Sequence, residues 1–340
     1  MIKVLFCPGD LGGCGYYRML QQMRHMQLEY GEICPVYLGP LTLQNVGQKV
    51  TVVQRVIAPG SLKALADFKA KNSTKVVVDY DDLLWEPSEG SMHKYNLFLN
   101  KLDLKGSREA LCRYLPDVAD AVTVSCDALK DEIVSLGYPV ERIFVMPNYL
   151  AIRDWCFDRT TEIINEDNFY YAGSLSHYDN RKKQHGDFTI PLANFLSKER
   201  TMFQGDEAPW FFENCLATFG WVGLNAYPTS VWQNTRYAKF TLAPLIQNVF
   251  NTCKSDLKYL ESCAVGRVCL VGDFDGSPYT GAHPMQKVPQ NASIDEIRGI
   301  VETCKEHYSE ILDYQYSYMN QRWLDTHMKD YTNLLIDIAG

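Results

Sequence analysis

The stretch FNTCKSDLKYLESCAVG, Phe250–Gly266, followed by the apolar run VCLVGD at Val268–Asp273, decides the fold of the second half of this chain. We expect a helix that Asn251 or Thr252 caps and that Gly266 ends, with a buried strand behind it. One stripe of this helix is apolar and is expected to face the core; it comprises Leu257, Leu260, Ala264 and Val265.

A neighbouring face of the same predicted helix carries Lys254, Lys258 and Glu261 at spacings of four and three. Two cations near the positive N-terminal end of a helix suit a diphosphate. A carboxylate about two turns further on could accept both hydroxyls of a ribose. The pattern indicates a helix along which a nucleotide-sugar lies. The alternative is a solvated amphipathic helix with a salt bridge between residues three apart.

The composition is that of a globular protein, and 340 residues are enough for two domains. A net charge of -8 argues against indiscriminate binding to nucleic acid, although a local basic groove is compatible with it. Eleven cysteines, an odd number without a C-x-x-C pair, indicate free thiols in a reducing compartment. No stretch has the length of a signal peptide or of a membrane span. We therefore expect a cytoplasmic protein.

The chain opens with a predicted strand at Met1–Pro8, a glycine-rich turn at Gly9–Gly15 and a predicted helix at Tyr16–Tyr30. This order is typical of a Rossmann-like unit, but the glycine spacing is not G-x-G-x-x-G, so we infer no dinucleotide site. The glycines would let the backbone approach a sugar or a phosphate closely. The alternative is an ordinary tight turn between a strand and a helix.

Strand and helix patterns alternate in both halves of the chain, which predicts two Rossmann-like α/β domains that face a cleft. We place the first domain at residues 1–155 and the second at residues 156–315. A last helix, at about residues 316–340, is expected to return to the first domain. Arg200–Pro209 is predicted to be a surface loop.

Seven motifs spread over most of the chain carry a family resemblance: GGCGYYR, VVVDYDDLLW, VSCDALKDEI, VMPNYL, YYAGSLSHYD, LAPLIQNVFNTCKSDLKYLE and AVGRVCLVGD. Together they resemble the retaining GT-B glycosyltransferases of bacteria and tailed phages. The most specific is the run PL…FN..KS..K..E, which ends at Glu261. The resemblance implies two Rossmann-like domains around a nucleotide-diphosphate sugar. It also implies a UDP-sugar as the co-substrate, with no metal and no separate cofactor.

For the donor, the resemblance implies that Glu261 holds the ribose, and that Lys254, Ser255 and Lys258 contact the diphosphate and the sugar. Further donor contacts are implied for a loop under the nucleotide and for the N-terminal glycine turn; they are Gly173, Ser174, His177, Gly12 and Gly13.

Two positions depart from the pattern of the group. A second glutamate often stands eight residues before the one that binds ribose, and here that position is Cys253. An aspartate usually follows the loop histidine by three residues, and here that position is Asn180, with Asp179 one residue early. In this chain, the function of each missing carboxylate is therefore either absent or carried out by a residue at another position.

Retention implies that the acceptor hydroxyl attacks from the face of the leaving diphosphate and gives its proton to a phosphate oxygen. Lys254 and Lys258 would stabilise that leaving group without a metal. Asp81 and Asp82 would face the acceptor. An inverting enzyme would instead need a protein base, for which Asp81, Asp82 or His93 are candidates.

Basic residues followed by aromatic ones form a candidate acceptor surface; they are Arg181, Lys182, Lys183, His185, Lys198 and Arg200, then Trp210, Phe211 and Phe212. Such a combination could grip double-stranded DNA and an everted base. The GGCG opening is also similar to phage enzymes that glycosylate hydroxymethylated cytosine. A 5-hydroxymethylated pyrimidine in phage DNA, reached in the host cytoplasm, is therefore our leading acceptor. A saccharide or lipid-linked acceptor, or a merely solvated loop, is the alternative.

Three other functions stay open. A metal-dependent GT-A enzyme would use Asp79 and Asp81 as a D-x-D pair, and it would have one continuous sheet. A non-catalytic module that binds sugar-nucleotides would explain Cys253. A sugar-nucleotide epimerase on the same fold would convert the donor without any acceptor.

Overall fold

The computed structural model describes residues 2–32, 36–38, 47–86, 106–157, 168–173, 178–179, 184–205, 217–219 and 227–340. These residues form two separate six-stranded sheets, and every strand pairing within the two sheets is parallel. Because parallel strands need crossover connections, each sheet is covered by helices.

The first sheet has the strand order β2-β1-β3-β4-β5-β6. Its strands are β1 (Val4–Cys7), β2 (Val36–Leu38), β3 (Val50–Gln54), β4 (Lys75–Tyr80), β5 (Ala121–Val124) and β6 (Ile143–Val145). The first helix, α1, is α-helical over Gly13–Gly15, π-helical over Tyr16–Leu20 and α-helical again over Gln21–Tyr30. The other helices of this half are α2 (Pro59–Asn72), α3 (Ser107–Val118), α4 (Asp127–Ser135) and α5 (Ile152–Trp155). Every residue of β1, β3 and β5 is buried, as expected for strands between two helical layers.

The second sheet has the order β11-β10-β7-β12-β13-β14. Its strands are β7 (Asn168–Gly173), β10 (Arg200–Gly205), β11 (Ala217–Phe219), β12 (Phe240–Ala243), β13 (Val268–Asp273) and β14 (Lys287–Pro289). A short antiparallel pair joins β8 (Tyr178–Asp179) to β9 (Gln184–His185). The helices of this half are α6 (Ile190–Leu196), α7 (Tyr227–Thr235), α8 (Val249–Thr252), α9 (Leu257–Ala264), α10 (Ile294–Glu306) and α11 (Tyr308–Asn320). The prediction of two Rossmann-like domains is confirmed, and the single sheet of the GT-A alternative is contradicted.

The predicted surface loop at Arg200–Pro209 is wrong, because Arg200–Gly205 forms β10 between β7 and β11. This strand carries buried polar side chains, which hid it in the sequence. Gln204 accepts a hydrogen bond from the hydroxyl of Tyr170 and donates one of 3.0 Å to Oγ of Ser230. A glutamine whose amide is satisfied in this way can lie in a sheet interior.

The single helix predicted over Phe250–Gly266 is also wrong, since α8 and α9 are separate helices. We call the four residues between them, Cys253–Asp256, the helix break. The side chain of Asn248, and not Asn251 or Thr252, caps α8 by accepting a hydrogen bond from the backbone of Asn251. The predicted end is confirmed, because Gly266 has a φ of 67°, which favours glycine.

The chain crosses between the two halves at two adjacent segments. Leu150 pairs with Trp323 in an isolated parallel bridge just before the last helix, α12 (Leu324–Ala339). The buried face of α12 packs into the cluster of the first sheet, beside Val4 and Phe6; it comprises Leu324, Met328, Tyr331 and Leu335. The continuous last helix expected from about residue 316 is interrupted, because α11 ends at Asn320 and α12 begins at Leu324. The domain boundaries themselves stay a prediction.

Among the described residues, no helix combines the length and the apolarity that crossing a membrane requires.

Replacing Leu335 by alanine should lower the free energy of unfolding by about 2–5 kcal/mol, because it leaves a cavity between α12 and the first sheet. Urea denaturation followed by circular dichroism measures the change. Lys329→Ala, at an exposed position of the same helix, is the control and should change stability little. A loss at Leu335 no larger than at Lys329 would contradict this packing.

Candidate functional site

The helix break is held against the first domain by polar contacts. Asp256 does not cap α9, because its carboxylate accepts hydrogen bonds of 2.8 and 3.0 Å from Arg322 and one of 2.5 Å from Oη of Tyr318. Oγ of Ser255 lies 2.7 Å from Nδ2 of Asn148, at the end of the first sheet. Arg322 also donates to the backbone carbonyl of Asn148 at 2.9 Å. These contacts fix where the two domains meet, and we call this contact region the seam.

Lys254 lies in the helix break and points into the seam. Its Nζ is 3.1 Å from Oδ1 of Asp82 and 4.4 Å from the ring centroid of Phe250, which is a cation–π distance. Only 12% of its side chain is exposed. The solvated interpretation of this lysine is therefore wrong. The prediction that Lys254 shares a helix face with Lys258 and Glu261 is wrong too, because Lys254 precedes the first residue of α9.

Asp82 belongs to a cluster of charges at the carboxyl end of the first sheet. Arg55 donates to both oxygens of Asp81 at 2.6 Å each and to Asp10 at 3.0 Å, and its Nη2 lies 3.4 Å from Asp82. The backbone of Arg55 has a φ of 61°, in the left-handed region that residues other than glycine rarely adopt. Such strain persists where surrounding contacts impose it, often at functional sites.

The charge of Asp81 is fixed by its arginine partner. Burial alone would raise the pKa of Asp81, but the charge and hydrogen bonds of Arg55 outweigh it and hold the pKa at about 2. A carboxylate that is so firmly ionised accepts a proton poorly near neutral pH. Asp81 is therefore a weak candidate for the base of an inverting reaction.

Glu261 lies on α9 at the seam and is 6% exposed. Its Oε1 accepts hydrogen bonds from Oη of Tyr17, in the first domain, at 2.7 Å and from Oη of Tyr227 at 3.1 Å. Burial raises the pKa of Glu261, although the hydrogen bond from Tyr17 and the charge of Lys258 act in the opposite direction. The solvated interpretation is wrong for this residue as well.

Lys258 stands one turn before Glu261, and both line the same small crevice in the second domain. Its Nζ is 5.5 Å from the ring centroid of Tyr171. Burial lowers the pKa of Lys258, and the positive charge of Lys254 lowers it further. The salt bridge of the solvated-helix alternative is not formed between Lys258 and Glu261, since these two described residues make no ion pair within 4.0 Å. An anion placed between the two lysines would be stabilised by both.

The N-terminal glycine turn contacts the second domain directly. The backbone amide of Gly12 donates to Oδ1 of Asp10 at 2.8 Å, which shapes the turn. A Cβ on Gly13 would lie 3.0 Å from the ring of Tyr227, so a larger residue would require that ring to move by a few tenths of an ångström. Gly173 ends β7 at the carboxyl edge of the second sheet.

Asp79 is committed to a buried ion pair. Arg18 donates to it at 2.7 Å, the two side chains are 1% and 2% exposed, and Oγ1 of Thr123 adds a hydrogen bond of 2.6 Å. Asp79 is paired with Arg18, and Asp81 is paired with Arg55. Because both carboxylates already bind an arginine, they do not form the metal-binding D-x-D pair of the GT-A alternative. Within the described ranges, no group of three or more histidine, cysteine, aspartate or glutamate side chains is arranged to hold a metal.

Several predicted residues lie outside the described residues; they are Ser174, His177, Asn180, Arg181, Lys182, Lys183, Trp210, Phe211, Phe212 and His93. Only the backbone is described at Asp179 and His185. Arg200 begins β10 and so lies roughly 17 Å from the carboxyl edge of the sheet, since a strand rises about 3.3 Å per residue. Lys198 lines a recess beside it. Both residues therefore lie near the amino ends of the strands, and their part in an acceptor surface stays a prediction.

Sequence reasoning missed the residues that hold the candidate groups; they are Tyr17, Tyr227, Arg55, Asn148, Asp256, Arg322 and Arg18. Tyr17 and Arg18 stand inside the quoted motif GGCGYYR, so that motif was the available signal. Arg55 is an isolated arginine after a strand, and no pattern marks it.

Neither a protein-family model nor a curated protein matches this chain. Solved structures do match it over its length. They include HepE from Anabaena in complex with UDP and glucose, at 11% identity and a TM-score of 0.68, covering 99% of this chain and 100% of that one. Sucrose-phosphate synthase from Thermosynechococcus elongatus matches at 10% identity and a TM-score of 0.64, covering 99% of each chain. The lipopolysaccharide outer core galactosyltransferase WaaB matches at 14% identity and a TM-score of 0.59, covering 99% of each chain. The chain therefore has the GT-B fold.

Arg18→Met should lower the free energy of unfolding by about 3–5 kcal/mol, because it leaves Asp79 buried without its cation. Combining it with Asp79→Leu should recover part of that loss, since both charges are then removed. Urea denaturation of the two variants tests this coupling. Asp295→Asn, which removes an exposed partner of Arg298, is the control and should have little effect. A double variant at least as unstable as Arg18→Met alone would contradict it.

Proposed function

We propose that this protein is a glycosyltransferase that moves a sugar from a nucleotide-diphosphate donor to an acceptor hydroxyl. The observation that carries the proposal is the position of Lys254 and Glu261. The two residues are seven positions apart, lie largely buried in the seam and contact first-domain side chains. The GT-B fold supports it, because the matched structures include one protein, HepE, solved with UDP, with UDP-glucose and with UDP and glucose.

A UDP-sugar is the proposed donor. Glu261 would accept the ribose hydroxyls, while Lys254 and Lys258 would bind the diphosphate and stabilise its charge as it leaves. Ser255 would contact the diphosphate, and Gly13 would bring the first domain close to it. Positive charge that is already in place before the reaction costs no reorganisation at the transition state.

We propose that the transfer retains the donor configuration. The acceptor oxygen then forms its bond to the anomeric carbon on the face from which the diphosphate oxygen departs, and the acceptor proton moves to a phosphate oxygen. The ion pairs of the acidic residues support this route. Asp81 is held by Arg55, and Asp82 lies between Arg55 and Lys254, so neither resembles a free general base.

For the acceptor, we place a saccharide hydroxyl first. Its support is the match to a lipopolysaccharide outer core galactosyltransferase. The hydroxymethylated pyrimidine in DNA becomes the second candidate, because Arg181, Lys182, Lys183 and Trp210 lie outside the described residues. Incubation with a panel of UDP-sugars and either oligosaccharides or hydroxymethylated DNA, followed by mass spectrometry, separates the two. Donor binding without any mass gain would favour the non-catalytic module.

Lys254→Ala should reduce transfer, or donor hydrolysis where no acceptor is used, by about 10²–10³-fold, because one cation at the leaving group is lost. Glu261→Gln should weaken UDP binding and leave the protein folded. Lys305→Ala, a surface lysine paired with Glu302 away from the seam, is the control and should keep full activity. Wild-type turnover in Lys254→Ala would refute the donor-site assignment.

Affinity for UDP should also depend on the protonation of Glu261. Because burial raises its pKa, the carboxylate becomes protonated at higher pH than an exposed glutamate, whose pKa is about 4.3. UDP affinity measured by calorimetry should therefore fall as the pH is lowered from 7 toward this raised pKa. Glu261→Gln should bind more weakly and show a flatter profile. An identical pH profile in the variant would argue against a role for this carboxylate.

A further inference from the structure

Both residues proposed to grip the donor are already occupied by first-domain groups of matching chemistry. Lys254, proposed to bind phosphate, is bound by the carboxylate of Asp82. Glu261, proposed to bind ribose hydroxyls, is bound by the hydroxyl of Tyr17. A carboxylate replaces a phosphate oxygen, and a phenol replaces a sugar hydroxyl. The donor and the first domain thus offer the same kinds of group to the same two side chains.

Tyr17 is buried among aromatic rings at the seam. It is 1% exposed, its ring stacks on Trp155 at 6.0 Å and it meets Tyr227 edge-on at 5.8 Å. Burial and the negative charge of Glu261 raise the pKa of Tyr17, so the phenol stays protonated and donates its hydrogen. If Tyr17 withdrew, Oε1 of Glu261 would keep the hydrogen bond from Tyr227. An accepting position on Oε1 would then be open to a ribose hydroxyl, in addition to those of Oε2.

Asp82 has a second cation within reach. Nη2 of Arg55 lies 3.4 Å away, while the bond to Lys254 measures 3.1 Å. When an anion takes Lys254, Asp82 keeps Arg55 as a partner, and no carboxylate is left buried without a cation. The exchange therefore avoids the electrostatic cost of leaving a partly buried carboxylate without a cation.

We propose that Asp82 and Tyr17 occupy the donor site in place of the diphosphate and the ribose, and that the donor displaces them on binding. This inference rests on the proposed donor site. Because both groups belong to the first domain, donor binding exchanges two contacts across the seam for contacts with the nucleotide. The arrangement of the domains and the occupancy of the site are then linked thermodynamically.

When a group of the protein competes for the site, the apparent association constant is the intrinsic constant multiplied by the fraction of molecules in which the site is open. Removing the competitor should therefore tighten binding. We expect Tyr17→Phe to bind UDP about tenfold more tightly, in line with the loss of a hydrogen bond to a charged group. Asp82→Asn should bind it up to about fivefold more tightly, in line with a partly exposed ion pair.

The test is calorimetric titration of the full chain with UDP and, separately, with uridine, which carries the ribose but no diphosphate. Tyr17→Phe should tighten both ligands, whereas Asp82→Asn should tighten UDP alone. Tyr16→Phe is the matched control for the phenol, because the hydroxyl of Tyr16 binds Asp154 and not Glu261. Asp295→Asn is the control for the charge. Both controls should bind as the wild type does.

Weaker UDP binding in Tyr17→Phe and Asp82→Asn would overturn the inference, since the two residues would then support the donor and not compete with it. Unchanged binding in both would overturn it as well. Absence of UDP binding to the wild-type protein would instead defeat the proposed donor site itself. The two kinds of failure are therefore distinguishable in a single series of titrations.

Discussion

The ion pair between Asp256 and Arg322 is the constraint on which the geometry of the seam depends. Arg322 binds both oxygens of the carboxylate and also the backbone carbonyl of Asn148, so one guanidinium joins the start of α9 to the end of the first sheet. An aspartate committed in this way cannot cap its own helix, and the chain leaves helical geometry between α8 and α9. Lys254 and Ser255 face the first domain because they lie in that interruption. The position of every candidate donor contact on this segment follows from a residue 66 positions later in the chain.

Local sequence signals were sufficient for the architecture and insufficient for the site. Apolar runs and glycine stops predicted two α/β units, because strands buried on both faces and left-handed helix ends leave short-range patterns. The partners of the site leave none. Tyr17 and Glu261 are 244 positions apart, and Lys254 and Asp82 are 172 apart. Strand β10 was missed for a related reason, since Gln204 is tolerated in the sheet only through distant hydrogen-bond partners. The burial of Glu261 could likewise not be predicted from its position on the helix, because residues distant in sequence cover it.

The seam combines a cluster of aromatic and aliphatic side chains with buried polar contacts. Tyr16, Tyr17 and Leu20 pack with Tyr227 and Leu260 in one cluster drawn from both domains. Apolar contacts of this kind stabilise an interface without selecting a partner atom. The charged contacts around them add little net free energy, because desolvation offsets most of their attraction, but they require a partner of opposite charge. This combination of apolar and charged contacts suits a protein whose two domains stay associated while the polar groups between them exchange binding partners.

The π-helical segment at Tyr16–Leu20 has a consequence for how this chain compares with others. Three successive side chains there bind three different elements: Tyr16 binds Asp154, Tyr17 binds Glu261 and Arg18 binds Asp79. A π turn spans one residue more than an α turn, and such turns occur frequently at functional sites. A homologue with an ordinary α turn would be one residue shorter between the glycine turn and Gln21. A gapless alignment of the two would place a tyrosine of one against the arginine of the other, and equivalent side chains would be counted as mismatches.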